Sequence, residues 1–208
     1  MPVDHAAVQD TLADAWDRWS HRCAILTPAE WTADTRCGAW DVRALIAHMC
    51  PDAAMFDAIA DATMEGPAAV NDPAQLLRRF NSDGGAAHTM AEDLAATAAA
   101  EATALSPRDA ADRFAESAAR LRADPWPGAT VISHPIVGST TLAVTARLAL
   151  MEATVHLLDL ADAVGGVEPS YAALTLTRDL LIDVPSPTAA VEMLAGRAAA
   201  HTVVPVVR

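Results

Sequence analysis

The chain has 208 residues, of which 52% are hydrophobic and 20% charged, and it carries a formal charge of −13 at pH 7. That length suits one domain, alone or with a short appendage, and the acidic balance excludes the basic face that binding a nucleic acid requires. About a quarter of the residues are alanine, the best helix former, every basic residue is arginine, and no apolar run reaches the length of a membrane span.

Met1-Pro2-Val3-Asp4-His5 is acidic and lacks an apolar signal region. From about Val3 to Leu26, Val8, Leu12, Trp16 and Trp19 recur at spacings of three and four, which predicts a helix with one apolar stripe. Thr27-Pro28 ends it, because the residue before a proline avoids the helical region. Thr27 then caps a short helical turn, with Pro28 at its first position and Glu30 three residues on. A second long helix is expected from roughly Asp41 to Met64, burying Val42, Leu45, Ile46, Met49, Phe56 and Ile59, kinked at Pro51 and closed by Gly66-Pro67.

Gln75 to Phe80 is a short helical piece in a polar connection. Ala86 to Leu105 reads as an alanine-rich helix, and Ser106-Pro107 begins another that runs to about Leu121. The sequence leaves open whether a true turn separates them. Asp124-Pro125-Trp126-Pro127-Gly128 breaks the pattern. Thr130 to His134 and Ile136-Val137, set around Pro135 and Gly138, predict a small hairpin. Thr140 or Thr141 then caps the most strongly patterned helix, through Val164, which Gly165-Gly166 stops. Shorter helices follow at about Tyr171 to Ile182 and Thr188 to Leu194, and Val203 to Val207 is strand-like. The expected fold is mainly all-α. It is a four-helix bundle over residues 1–166, with a long crossover between its second and third main helices and a small β-hairpin. A short α/β C-terminal appendage, residues 167–208, packs on it. Cys23, Cys37 and Cys50 are odd in number and lack metal-knuckle spacing, so they read as reduced thiols of a cytoplasmic protein.

The chemistry concentrates in Met151 to Asp162. Glu152 and His156 are four apart and project from one helix face. A carboxylate and an imidazole so placed can hold one divalent ion with a third ligand from a facing helix, or can form an ordinary hydrogen-bonded pair. His48, set among apolar residues of the second helix, is either a core histidine or that third ligand. Asp159, three after His156, is a candidate to orient a ligand imidazole or to make an interhelical hydrogen bond. Arg147 is a candidate for an acidic substrate, whereas Arg43 is expected to pair with Asp41 or Glu30. His134 is placed near the bundle mouth or simply in solvent. Cys50 lies about 200° around the helix from His48 and is rejected as a ligand of the same ion. Cys37 has no adjacent base and reads as packing, and Trp16, Trp19, Trp31 and Trp40 read as core.

The segment Trp31-Thr32-Ala33-Asp34-Thr35-Arg36-Cys37-Gly38-Ala39-Trp40-Asp41-Val42-Arg43-Ala44-Leu45-Ile46-Ala47-His48 resembles the N-terminal signature of the mycothiol-dependent maleylpyruvate isomerase family, within the DinB-like helical-bundle superfamily. A second signature of that family, a glutamate, a histidine four later and then L-D-L-A-D-A-x-G, is matched from Glu152 to Gly165. The resemblance covers about residues 5–165. It implies a metal bound by His48, Glu152 and His156, zinc first, with Ni2+ or Fe2+ also suited to such ligands. It further implies a low-molecular-weight thiol, mycothiol, as cosubstrate, activated for transfer to a small electrophile or for its isomerisation. The full isomerase carries a sizeable C-terminal domain, where this chain has only residues 167–208, so maleylpyruvate is not the expected substrate. The same metal used as a Lewis acid without a thiol, and a non-catalytic binding bundle, are the rival expectations. The expected partner is a small molecule, the expected state a monomer or homodimer. The lysine-free composition fits a high-GC actinobacterial source.

Overall fold

The computed structural model describes residues 3–38, 40–52 and 54–199; the strand-like Val203 to Val207 lies outside the described residues. Helix α1 (His5–Ala24) starts where the Asp4 carboxylate accepts the Ala6 N–H, and it buries the expected stripe of Val8, Leu12, Trp16 and Trp19. In α2 (Pro28–Trp31) the Thr27–Glu30 capping box forms in full. Helix α3 (Val42–Met49) is capped by Asp41, which accepts from the Ala44 N–H.

The long helix expected through Pro51 does not form. Cys50 turns to extended geometry with ψ 122°, and the chain re-enters helix only at α4 (Met55–Asp61). Proline offers no N–H to the preceding turn and crowds the residue before it, and here these effects end the helix rather than bend it. His48 therefore sits in the last turn of a short helix.

Helix α5 (Pro73–Phe80) follows, and then the alanine-rich stretch divides at Met90 into α6 (Ala86–Thr89) and α7 (Ala91–Ala104). A true turn separates α7 from α8 (Pro107–Ala123): Leu105 is extended, and Ser106 and Asp109 close a capping box. The hairpin pairs β1 (Val131–His134) with β2 (Gly138–Thr141), Val131 opposite Thr141 and His134 opposite Gly138. Ile136 and Val137, expected in its second strand, belong to the turn instead. Gly138 takes the φ of +82° that the turn requires, and Val137 is buried against Val70, Leu76 and Val144. Packing of that side chain overrides its strand propensity.

Helix α9 (Leu142–Val164) begins at Thr141, whose hydroxyl accepts the Val144 N–H, and stops at Gly165 with φ +63°. Helices α10 (Tyr171–Asp183) and α11 (Pro187–Leu194) complete the described chain, which is mainly helical with one two-stranded hairpin. The bundle is built around α9, which packs against α1, α3 and α10; α1 also packs along α8, and α3 against α7. The segment from α4 to α7 is the long crossover between α3 and α8. Among the described residues no helix is long and apolar enough to cross a membrane. Ala173 of α10 enters the main core, while Leu180 and Val184 close a second cluster with Met151 and Leu77.

Two contacts fix α9. The fully buried Trp19 stacks on Phe114 at 5.4 Å, and its Nε1–H donates to the Ala153 carbonyl at 3.0 Å. Small side chains at Ala146 and Ala153, both fully buried, let the neighbouring helices approach. At the far end, buried Arg22 donates to the carbonyls of Gly165 (2.8 Å) and Val164 (3.1 Å) and pairs with Glu30. A cation there satisfies the orphan carbonyls and complements the negative end of the helix dipole.

Candidate metal centre

Three segments meet at the middle of α9. The i, i+4 spacing turns Glu152 and His156 to one side, and Asp159 follows one turn on. The last turn of α3 brings His48. The loop between α2 and α3 supplies Arg36, Cys37 and Trp40. Thr35 holds that loop closed: its hydroxyl donates to the Trp40 carbonyl at 2.6 Å and accepts the Cys37 N–H at 3.1 Å. The Val42 N–H bonds back to Ala33 at 2.9 Å, and Gly38 turns with a φ of +68°.

One ligand atom from each of His48, Glu152 and His156 lies within 4.8 Å of the others. The two imidazoles stand edge to face with ring centroids 5.3 Å apart, and Glu152 Oε2 is 3.4 Å from His156 Nε2. The other ring nitrogen, Nδ1, is 2.8 Å from Asp159 Oδ2. Asp159 also accepts from Arg36 Nε on Oδ1 at 2.6 Å and from the Cys37 thiol on Oδ2 at 3.1 Å. Cys37, His156 and Asp159 thus form a second group of donors within the same 4.8 Å limit. Trp40 covers both imidazoles, with ring centroids 4.7 Å from His48 and 6.3 Å from His156. His156 is buried, His48 part-buried, and the Glu152 side chain keeps 35% exposure, which opens the group to solvent on one side.

The two histidines are driven apart in charge. Burial lowers His48, and the positive ring of His156 lowers it further, so His48 stays neutral with a lone pair to give. Burial also opposes a charge on His156, but hydrogen bonds with Asp159, Cys37 and Glu152 outweigh it and raise its pKa to about 11. For Asp159 burial works upward, and the bonds from His156, Arg36 and Cys37 prevail and bring it down to about 2. The carboxylates that attract a proton to His156 are the ones that would attract a cation. Two imidazole nitrogens and a half-open carboxylate, with the second nitrogen of one ring held by Asp159, fit a divalent ion with a free coordination position.

Arg147 turns away from this cluster toward α10, where it donates to the Leu176 carbonyl at 3.3 Å; it does not greet a ligand at Glu152. The five-residue separation places it on another face of α9. Arg43 pairs with Asp41 at 3.5 Å. His134 ends β1 and accepts the Ile136 N–H at 3.3 Å within its own hairpin turn. Cys50 lines a separate cavity of about 250 Å³ with Asp52, Glu101 and Arg113, and burial pushes its thiol up to about 11. Trp16 and Trp19 are core residues, whereas Trp31 is only partly buried.

Cys37 packs against the main core as the sequence suggests. No base stands next to it in the sequence, and folding also sets Asp159, 122 residues away, against its thiol. Arg36, not singled out in the sequence, reaches the same carboxylate, and its one sequence signal is its place in the segment that leads into His48. Trp40, expected in the core, is only partly buried and lies against both imidazoles.

A family model described as Mycothiol maleylpyruvate isomerase N-terminal domain matches residues 12–161, most of the chain. No curated protein and no solved structure matches it.

Proposed function

The chain belongs to the mycothiol maleylpyruvate isomerase N-terminal domain family, and on that premise we propose that it is a metal-dependent enzyme acting on a small electrophile with a low-molecular-weight thiol. The observation that carries the reading is the convergence of His48, Glu152 and His156 from two helices with Asp159 behind one imidazole.

A divalent ion held by His48, Glu152 and His156, zinc first because the family resemblance points to it, would supply Lewis acidity that lowers the pKa of a thiol or water reaching it. The protein's part is orientation. Asp159 accepts Nδ1–H of His156 and leaves Nε2 for the ion, while burial keeps His48 neutral. Trp40 lies against both rings and gives that side of the group an apolar wall. Glu152 keeps 35% side-chain exposure against 5% for His156, so substrate approaches past it. Mycothiol is the first thiol to try, because the family is named for it.

The test is to load the protein with cobalt(II) and add mycothiol or another small thiol. A change in the visible spectrum, absent with the S-methylated thiol, supports thiol activation. A bound cobalt whose spectrum no thiol alters removes the thiol from the reaction.

A further inference from the structure

Two donor groups share the ring of His156. On the Nε2 side stand Glu152 and His48; on the Nδ1 side stand Asp159 and Cys37. Both are chemically able to hold a divalent cation, and the second, with its sulfur, is the softer and suits zinc at least as well. Ligand type alone therefore does not select between them. What differs is Arg36, whose Nε donates to Asp159 Oδ1 at 2.6 Å.

We infer that Arg36 decides which donor group takes the ion: its guanidinium occupies the cation's place on Asp159, closes the Cys37 side and directs metal to His48, Glu152 and His156. This inference rests on the metal-dependent reading above. Arg36 is a permanent cation that no pH in the working range neutralises. A divalent ion on Oδ2 of the same carboxylate would face that charge across a single carboxyl group, in a pocket where Asp159 is shielded from water. The lone pairs of Asp159 are also engaged, Oδ1 by Arg36 and Oδ2 by both His156 and the Cys37 thiol. With Arg36 in place, Asp159 acts as an orienting group behind a ligand rather than as a ligand. Arg36 is half exposed and lines an open groove of about 780 Å³ with Leu158, Asp162 and Glu168, so its replacement leaves the core untouched.

The experiment is cobalt(II) titration of the full chain and its Arg36 variants, read in the near ultraviolet. Thiolate ligation there gives a strong charge-transfer band that nitrogen and oxygen ligands do not. The parent is expected to take one cobalt without the band. Arg36→Leu and Arg36→Gln should each gain it, Arg36→Leu combined with Cys37→Ser should lose it again, and Arg36→Lys, which keeps the charge, should match the parent. A thiolate band in the parent, or neutral variants with the parent's spectrum, overturns the role of Arg36 while leaving the metal reading intact. A parent that binds no cobalt, with no ligand-field absorption at all, overturns the metal reading and this inference with it. Circular dichroism of each variant confirms the helical fold before titration.

Discussion

Asp159 Oδ2 lies 2.8 Å from His156 Nδ1, and the same carboxylate is held from the other side by Arg36 Nε at 2.6 Å. The imidazole is thereby fixed in both tautomer and orientation, with Nε2 turned toward Glu152. A ligand whose ring is locked in advance loses little freedom on binding an ion. Asp159→Asn keeps the shape and removes the charge. Its expected effect is a loss of metal affinity of about 10- to 100-fold at unchanged stoichiometry, measured by competition with a chromophoric chelator. Unchanged affinity would reduce Asp159 to a structural hydrogen bond.

Metal uptake should depend on pH in a direction set by His156. Its pKa is raised from 6.5 to about 11, so a proton occupies the ring at neutral pH and must leave when the ion enters. Apparent affinity should then rise with pH, by about tenfold per unit where one proton is displaced. Proton release on metal addition in weakly buffered solution checks this, and uptake independent of pH contradicts it.

The same shifts act on the stability of chelator-treated protein. A raised pKa contributes stability that is fully present below the unfolded value of 6.5 and lost as pH rises toward about 11. Asp159 has the opposite sign: its contribution is present above its ordinary 3.8 and lost as pH falls through about 2. Urea midpoints should accordingly fall on going from neutral pH to alkaline, and again on strong acidification. Equal midpoints in neutral and alkaline buffer would show that His156 carries no extra proton.

Trp40 stands over both histidines, at 4.7 and 6.3 Å between ring centroids, so it should report on their protonation and ligation. Metal titration is expected to change tryptophan emission in the parent and to leave it nearly flat in Trp40→Phe, with the same metal content in both. A signal that persists in the variant would locate the perturbation elsewhere.

Removing Arg22 tests the scaffold rather than the site. Arg22→Ala strips the Gly165 and Val164 carbonyls of this donor and leaves Glu30 with its Thr27 bonds alone. The expected cost is about 2–3 kcal/mol, read from urea unfolding, with metal stoichiometry preserved at saturation.

The sequence makes most of this legible where local rules act alone. The capping box at Thr27 and Glu30, the start of α9 at Thr141 and its end at Gly165 follow from short-range chemistry, and they form as expected. Expectations failed where a local rule met a competing local rule or a tertiary contact. At Pro51 the choice lay between a kink and a break, and the preference of Cys50 for extended geometry prevailed. At Ile136-Val137 tertiary burial prevailed over strand propensity. His48, Glu152 and His156 could be named because two of them share a helix spacing and all three lie in recognisable segments. The Arg36–Asp159 and Cys37–Asp159 contacts join residues 123 and 122 positions apart, and no periodicity encodes them. The closed loop between α2 and α3, held by Thr35, by the Val42–Ala33 bond and by the turn at Gly38, presents Arg36 and Cys37 to α9.

Metal content decides whether His48, Glu152 and His156 hold a divalent ion. Protein purified without a histidine tag or chelator is compared with His156→Ala prepared identically, each before and after incubation with zinc and desalting. About one equivalent of divalent metal is expected in the parent, and its loss in the variant. No metal in the parent even after incubation with zinc, or an equal content in His156→Ala, would contradict it.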